Sequence, residues 1–310
     1  MTSRIYCEAQ FAHGAGLGTR LFPWARCKVF ASRHRLPMLA PHWVQLRVGP
    51  LLRGGIQLQA YHRQILLMGL FHRNGYIGGL DRARLRSVPR IDEPQSVDHG
   101  SLPSTEQPVV ISFKGYGNLF ADLEGEQEFL LRALRDEAQP KWVTLADRLA
   151  APIGVNVRCG NDFREARSES DFTNMGAVKT PVAWFVSALQ SVREVAGSHV
   201  RAIVVSDGTR EQLKDLLSLP NVQFARPGCA ISDLLTLAHA NVLIGSGGSS
   251  FSAWASFLSR ATTVSHPGQS LQWFQLARSG DQCVTEFDPR VAMPPTLAGR
   301  IRAALTAAQG

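Results

Sequence analysis

Apolar and polar positions along the chain switch between two periods, and the switches mark out an α/β order. Residues 4–9 read as a short strand, Ala12–Gly18 as a glycine-rich turn, Thr19–Arg33 as a helix and Leu36–Leu39 as a second strand. Ile56–Phe71 has mixed periodicity compatible with a helix. Val88–Pro108 holds four prolines among polar residues and reads as a loop or linker. Val109–Phe113 is rich in strand formers, and Glu126–Ala138 places Phe129, Leu130, Ala133 and Leu134 on one helical face. After Pro152 the alternation is regular. Strands are expected at Ile153–Cys159, Val200–Ser206, Val222–Ala225, Asn241–Gly245 and Thr262–Ser265. Helices are expected at Val182–Ala196, Arg210–Leu217, Ser232–His239 (capped by Ser232), Phe251–Leu258 and Thr296–Ala308. Strand–helix repeats at this spacing predict a parallel sheet covered on both faces, with ligands beyond the carboxyl ends of the strands. Four segments fall at such ends: Arg158–Asp162, Ser206–Gly208, Gly245–Ser250 and His266–Gly268.

A chain of 310 residues accommodates about two domains. We divide it into residues 1–150, residues 151–295 and a closing helix, 296–310. No apolar run approaches the ~18–20 residues of a membrane span. Met1–Gly18 lacks a continuous apolar stretch, so no secretory leader is expected. The five cysteines are scattered without a C-x-x-C, which argues against a disulfide scaffold or structural zinc and for a reducing compartment. Charge changes the picture more. Net charge is +8, and residues 1–80 hold ten Lys/Arg against Glu8 alone, so the whole excess sits in the first quarter. Such a bias attracts anionic partners or is a solvated face without a partner. No zinc-finger, RRM or KH pattern accompanies it, so nucleic acid is not expected.

Three segments carry candidate chemistry. In the run His13–Gly18, glycines let backbone N–H groups approach a phosphate ahead of a helix N-terminus; a tight structural turn explains the same residues. Asn156–Asp162 puts Arg158 at the end of a buried strand, where a guanidinium forks onto phosphate, or pairs with Asp162 or Glu165 for structure alone. Gly245–Ser252 joins a strand to a helix through small residues and hydroxyls, with Ser249 or Ser250 as the helix cap. Asp207 stands at another strand end, as a cap or as an acceptor for a ribose or guanine edge. No catalytic triad, D-x-D pair or metal-ligand histidine spacing is present.

Taken in order, these segments resemble the family 11 glycosyltransferases, the GDP-fucose-dependent and mostly α-1,2 fucosyltransferases. Gly16-Leu-Gly-Thr-Arg-Leu-Phe22 resembles the opening G-L-G-N-Q-[LM]-F. Gly115-Tyr116, Leu119-Phe120 and Asp122–Glu126 resemble G-Y-F-Q-S-x-K-Y-F. Val155–Asp162 resembles H-x-R-R-x-D, and Val204–Asp207 resembles F-S-D-D. Asp233-Leu-Leu, followed by Ser249-Ser-Phe-Ser-Ala-Trp254, resembles D-L-x-x-L and then N-S-S-F-S-W-W. The similarity spans about residues 10–275. Departures are Asn156 for His, Cys159 for the second Arg, Asn161 before or at the acid position, Thr19 for Asn and Ala253 for one Trp.

The resemblance implies a GT-B-like α/β fold, two Rossmann-like domains with a cleft between them. The C-terminal half would bind the nucleotide sugar and the N-terminal half a glycan acceptor. Arg158 would bind the β-phosphate of GDP, and Asn156 and Asp207 match positions associated with guanine. Ser249, Ser250 and Phe251 would line the pyrophosphate site, faced by Gly16 and Gly18. Implied with them is inverting transfer from GDP-fucose without a cofactor or metal, to galactose O-2 of a cell-surface glycan. Arg158 is then the catalytic electrostatic group, and Asp162 or Glu165 the base. The expected location is cytoplasmic, with the basic N-terminal region meeting an anionic membrane surface or a lipid-linked acceptor. Alternatives are another nucleotide-sugar donor, a non-catalytic nucleotide- or glycan-binding relative, and a generic Rossmann oxidoreductase. The last lacks an acid about 20 residues past the glycine turn.

Overall fold

A computed structural model of the chain describes residues 4–43, 69–72, 74–93, 102, 106–160, 162–173, 177–226, 228–276 and 283–307. The first half contains β1 (Ile5–Ala9), α1 (Leu17–Arg33), α2 (Gly79–Arg84), β2 (Arg90–Asp92), β3 (Val109–Phe113), α3 (Gln127–Glu137) and α4 (Pro140–Leu149). The second opens with β4 (Ile153–Val157), α5 (Val182–Ala196), β5 (Ala202–Ser206), α6 (Lys214–Leu217), β6 (Val222–Phe224) and α7 (Ala230–Leu237). It closes with β7 (Val242–Gly245), α8 (Ser250–Ser259), β8 (Thr262–Ser265), β9 (Val284–Glu286) and α9 (Pro295–Ala307).

Both sheets are parallel. The smaller runs β1-β3-β2, with Ser112 opposite both Glu8 and Asp92. The larger runs β6-β5-β4-β7-β8-β9, the doubly wound order. The chain steps outward from β4 to β6, then returns to the other side of β4 with β7. The β4/β7 pair is therefore the switch point, with Asn156 opposite Gly245. Connections leave there in opposite directions and open a crevice at the carboxyl edge. Every residue of β3, β4, β5, β7 and β8 is buried, as both-face coverage of a parallel sheet requires.

One core layer joins Val155 and Val157 to Phe185 and Leu189 of α5 and to Ile301 and Leu305 of α9. The other runs through both halves. Phe22 of α1 lies 5.1 Å from Trp254 of α8 and 5.0 Å from Phe120, which in turn stacks on Phe257 at 4.4 Å. α1 thus packs directly on α8, and the carboxyl edges of the two sheets meet through the helices that follow β1 and β7. The α/β, GT-B-like expectation matches this architecture.

Several local expectations are corrected. Val88–Pro108 contains β2, which pairs along β3 with Arg90 opposite Val110. Leu36–Leu39 makes single bridges, Met38 to Cys7 and Leu39 to Ile77, in place of a continuous strand. Only the last turn of Arg210–Leu217 is helical. The cap of α7 is Cys229; Ser232 stands at the third helical position and accepts the Cys229 N–H at 2.8 Å. The helix expected over Ile56–Phe71 lies outside the described residues as far as Met68.

Among the described basic residues of the first quarter, Arg20 and Arg26 are turned inward, Lys28 is half-buried and Arg4, Arg33 and Arg35 are exposed. Arg20 and Arg26 are 0% and 1% exposed. Arg26 forks onto Glu93 with two bonds of 2.9 Å and donates to the Lys114 carbonyl at 2.6 Å. Lys28 pairs with Glu137 at 2.8 Å and Arg33 with Glu126 at 2.6 Å. Arg47, Arg53, Arg63 and Arg73 lie outside the described residues. No helix among the described residues is long and apolar enough to cross a membrane.

Candidate functional site

At the switch point β4 and β7 are tied past their last ladder bonds. Ser246 N–H donates to the Asn156 carbonyl at 3.0 Å, the Ser246 hydroxyl donates to the same carbonyl at 3.1 Å, and it accepts the Arg158 N–H at 2.9 Å. Arg158 then leaves the sheet edge with its side chain 23% exposed, its guanidinium 5.1 Å from the Phe163 ring centre. Nη2 donates to Asp162 Oδ2 at 2.6 Å. Nη1 lies 2.9 Å from Asp207 Oδ2, an ion contact without hydrogen-bond alignment. The other oxygen of Asp207 accepts the Cys159 N–H at 2.7 Å. Gly160 sits between the carboxylates: a Cβ there would lie 2.5 Å from Asp207 Oδ2 and 2.6 Å from Asp162 Oδ1. A side chain at 160 would therefore push apart the two groups that aim the guanidinium.

The Gly/Ser turn after β7 supplies the second wall. Ser249 caps α8 by accepting the Ser252 N–H at 3.3 Å and is itself buried. Gly247 lies against Gln269, where a Cβ would come within 2.1 Å of the Gln269 Cβ, so this loop has no room for any larger residue. Gly248 turns the chain with φ +65° and is exposed. The N-terminus of α1 comes from the other half. Its cap, Gly16, makes no side-chain capping bond, and Arg20 braces the preceding turn by donating Nε–H to the Ala15 carbonyl at 3.0 Å. A Cβ on Gly18 would lie 2.7 Å from Ser250 Oγ and 3.0 Å from Phe251 N. The first turns of α1 and α8 are therefore in contact. Each carries about half a positive charge on unsatisfied N–H groups. Two positive poles brought together repel unless an anion sits before them, while the charge of Arg158 at this edge is met by Asp162 and Asp207.

Gly16, Gly18, Arg158, Asp162, Asp207, Ser249, Ser250 and Phe251 are thus gathered at one edge, with Ser250 and Phe251 half-buried. Asn156 is 2% exposed, and its Nδ2 donates to Ser252 Oγ at 2.7 Å. The side chain bolts β4 to the first turn of α8. One oxygen of Asp207 accepts the Cys159 N–H and the other pairs with Arg158, so the carboxylate orients the arginine. Glu165 pairs with Lys179 at 2.6 Å instead of with Arg158. Burial and the Asp207 charge push the Cys159 thiol up, against a hydrogen bond from Ser206, so this side chain is a neutral thiol at pH 7. Among the described residues, no three His, Cys, Asp or Glu side chains are grouped to hold a metal.

Two features carried no sequence motif. Arg226 donates to the Ser206 carbonyl at 2.7 Å and the Gly208 carbonyl at 3.1 Å, fixing the loop that bears Asp207. A cavity of about 520 Å³ opens in the first half beside Glu8, Gln10, Phe11, His42, Arg82, Arg86 and Arg90. An isolated arginine in a loop has no spacing to betray it, and the cavity's lining comes from separated segments.

No family model and no curated protein matches the chain. Among solved structures it is similar to POFUT1 in complex with GDP, at 10% identity and a TM-score of 0.49, over 91% of this chain and 97% of that one. It is similar to the fucosyltransferase NodZ from Bradyrhizobium at 14% identity and a TM-score of 0.49, over 86% and 95%. NodZ α-1,6-fucosyltransferase soaked with GDP-fucose gives 15% and 0.48, over 86% and 96%. At these values no residue role is carried over.

Proposed function

We propose that the chain is an inverting glycosyltransferase that moves L-fucose from GDP-β-L-fucose to a hydroxyl of a glycan acceptor, with galactose O-2 as the expected position. The reading is carried by two abutting helix N-termini, those of α1 and α8, at the switch point of a doubly wound sheet, with Arg158 just past the end of the adjoining strand β4. That is a seat for a diphosphate, and the ordered motif resemblance supplies its identity as GDP.

In the proposed reaction the acceptor oxygen attacks the anomeric carbon opposite the leaving group. The C1–O bond breaks with its electrons passing to the diphosphate. Arg158 and the first N–H groups of α1 and α8 stabilise that charge as it develops, a contribution of ~10²–10³ in rate for one strong donor. Asp162 is half-exposed and its pairing with Arg158 is weakly held, whereas the buried Asp207 stays in place. Incoming phosphate oxygens displace Asp162 from Nη2, which frees its carboxylate to take the acceptor proton.

Asn156 favours a second reading in one respect. Its amide is engaged by Ser252, which leaves the choice of base to other residues and favours a donor built on a different nucleotide. Ligand-observed NMR with GDP, UDP and CMP separates the two. The proposal expects GDP to bind in preference and GDP-fucose to yield an α-fucoside. UDP or CMP binding with GDP ignored overturns the donor, and binding of none overturns the nucleotide site.

A further inference from the structure

The cavity of the first half is lined by three arginines against one carboxylate. Glu8, at the end of β1, is only 6% exposed. Its Oε1 accepts from Arg82 Nη2 at 2.8 Å, and its Oε2 faces Arg90 Nε at 3.2 Å and Gln10 Nε2 at 3.3 Å. Arg82 also donates to the Ala40 carbonyl, and Arg90 to the Arg86 and Val88 carbonyls at 3.0 Å each. These two guanidiniums are anchored. Arg86 lines the same space, is exposed, and has no carboxylate within ion-pair distance among the described residues. Glu8 cannot neutralise three cations, so the lining stays positive and favours an anionic occupant. The volume falls in the small-ligand range of about 300–1,000 Å³. The half-buried Phe11, 4.8 Å from Trp43 and under the Arg20 guanidinium, adds a fixed apolar wall.

Phe11 precedes Gly16 by five residues, at most about 18 Å of chain even if fully extended. The intervening turn, with φ +74° at Gly14, brings them closer. A group seated in the cavity therefore places its neighbour in reach of the edge where α1 begins. We propose that this cavity binds a carboxylate- or phosphate-bearing sugar of the acceptor, with Arg86 as its counter-ion and Arg82 and Arg90 holding the site's shape. The acceptor role rests on the glycosyltransferase reading; the binding of an anionic sugar does not.

The test titrates the full chain, with excess GDP present to fill the donor edge, against sodium glucuronate, glucose 1-phosphate and methyl glucoside. At least one anionic sugar is expected to bind about tenfold or more tighter than the neutral glycoside. That preference should fall by a similar factor in Arg86→Ala and vanish in Arg86→Glu. Glucuronate alone identifies a sugar acid, glucose 1-phosphate alone a phosphorylated sugar. Equal binding of charged and neutral sugars, no binding of any, or anion binding intact in Arg86→Glu overturns the proposal. Thermal unfolding confirms that the variants are folded, and Arg86→Gln replaces any that is not. The GDP signal reports separately: anionic sugars bound without GDP overturn the donor reading and keep the cavity, and GDP bound without them does the reverse.

Discussion

Gly18→Ala probes the contact on which the candidate site depends. The new Cβ would meet Ser250 Oγ at 2.7 Å, Phe251 N at 3.0 Å and Ser250 C at 3.0 Å, where ordinary contact begins at 3.4 Å. The hydroxyl can rotate away, but the two backbone atoms cannot. The helix starts must separate by about 0.4 Å, through aromatic packing that already fills the space between Phe22 and Trp254. Overpacking of this kind costs ~1–3 kcal/mol. Up to ~1 kcal/mol returns from replacing a helical glycine, less here because Gly18 lies in the first turn. A net loss of ~1 kcal/mol is expected, a fall in Tm of a few degrees. GDP affinity should fall by ~3–10-fold, since sub-ångström misplacement of donors is felt directly by the ligand. Gly16→Ala is the control: its Cβ meets nothing within 4 Å, and its φ of −71° suits any residue. Thermal unfolding and calorimetric titration of both variants decide the matter. Gly18→Ala matching wild type in both measurements would refute the proposed contact.

Two further outcomes are expected. Asn156→Ala removes the buried bond to Ser252 and should cost ~1–3 kcal/mol in denaturant unfolding while leaving the order of nucleotide preference unchanged, since the side chain faces away from the edge. Asp147 receives two bonds from Arg135, at 2.8 and 3.0 Å, and these hold its carboxyl below the ordinary value. A depressed folded pKa stabilises the protein above the unfolded value of ~3.9 and is lost as pH falls through the folded value. Both side chains are about a third or more exposed, so Asp147→Asn should cost under ~1 kcal/mol at pH 7. That difference should shrink in unfolding curves as pH falls below the unfolded value and close once pH is below the folded one.

The sequence was most legible where burial is continuous. Runs such as Val109–Phe113 and Thr262–Ser265 are strands at the expected residues, because a parallel sheet covered on both faces leaves no polar position to blur the pattern. Short edge elements were not legible. β9 has three residues of which only Val284 is buried, and β2 sits among prolines. α4 was missed although Pro140 at its first turn and its amphipathic spacing are start signals. In the site, the strand-end rule located Arg158 and the Gly/Ser turn, because both follow from topology. The roles of Asn156 and Asp207 were not legible: a strand residue's side tells which sheet face it takes, but not whether a helix hydroxyl or a ligand meets it there. Gly160 and Gly247 share the reason in reverse, since close approach from a distant segment leaves no local trace.

By this reading one edge of the larger sheet holds a diphosphate through Arg158. Calorimetric titration of GDP into the wild-type chain, Arg158→Ala and Arg158→Lys tests it most directly. We predict a loss of ~10-fold or more in affinity for the alanine variant and partial retention for lysine, which keeps the charge but not the fork. GDP binding of equal strength to all three folded proteins would contradict the account.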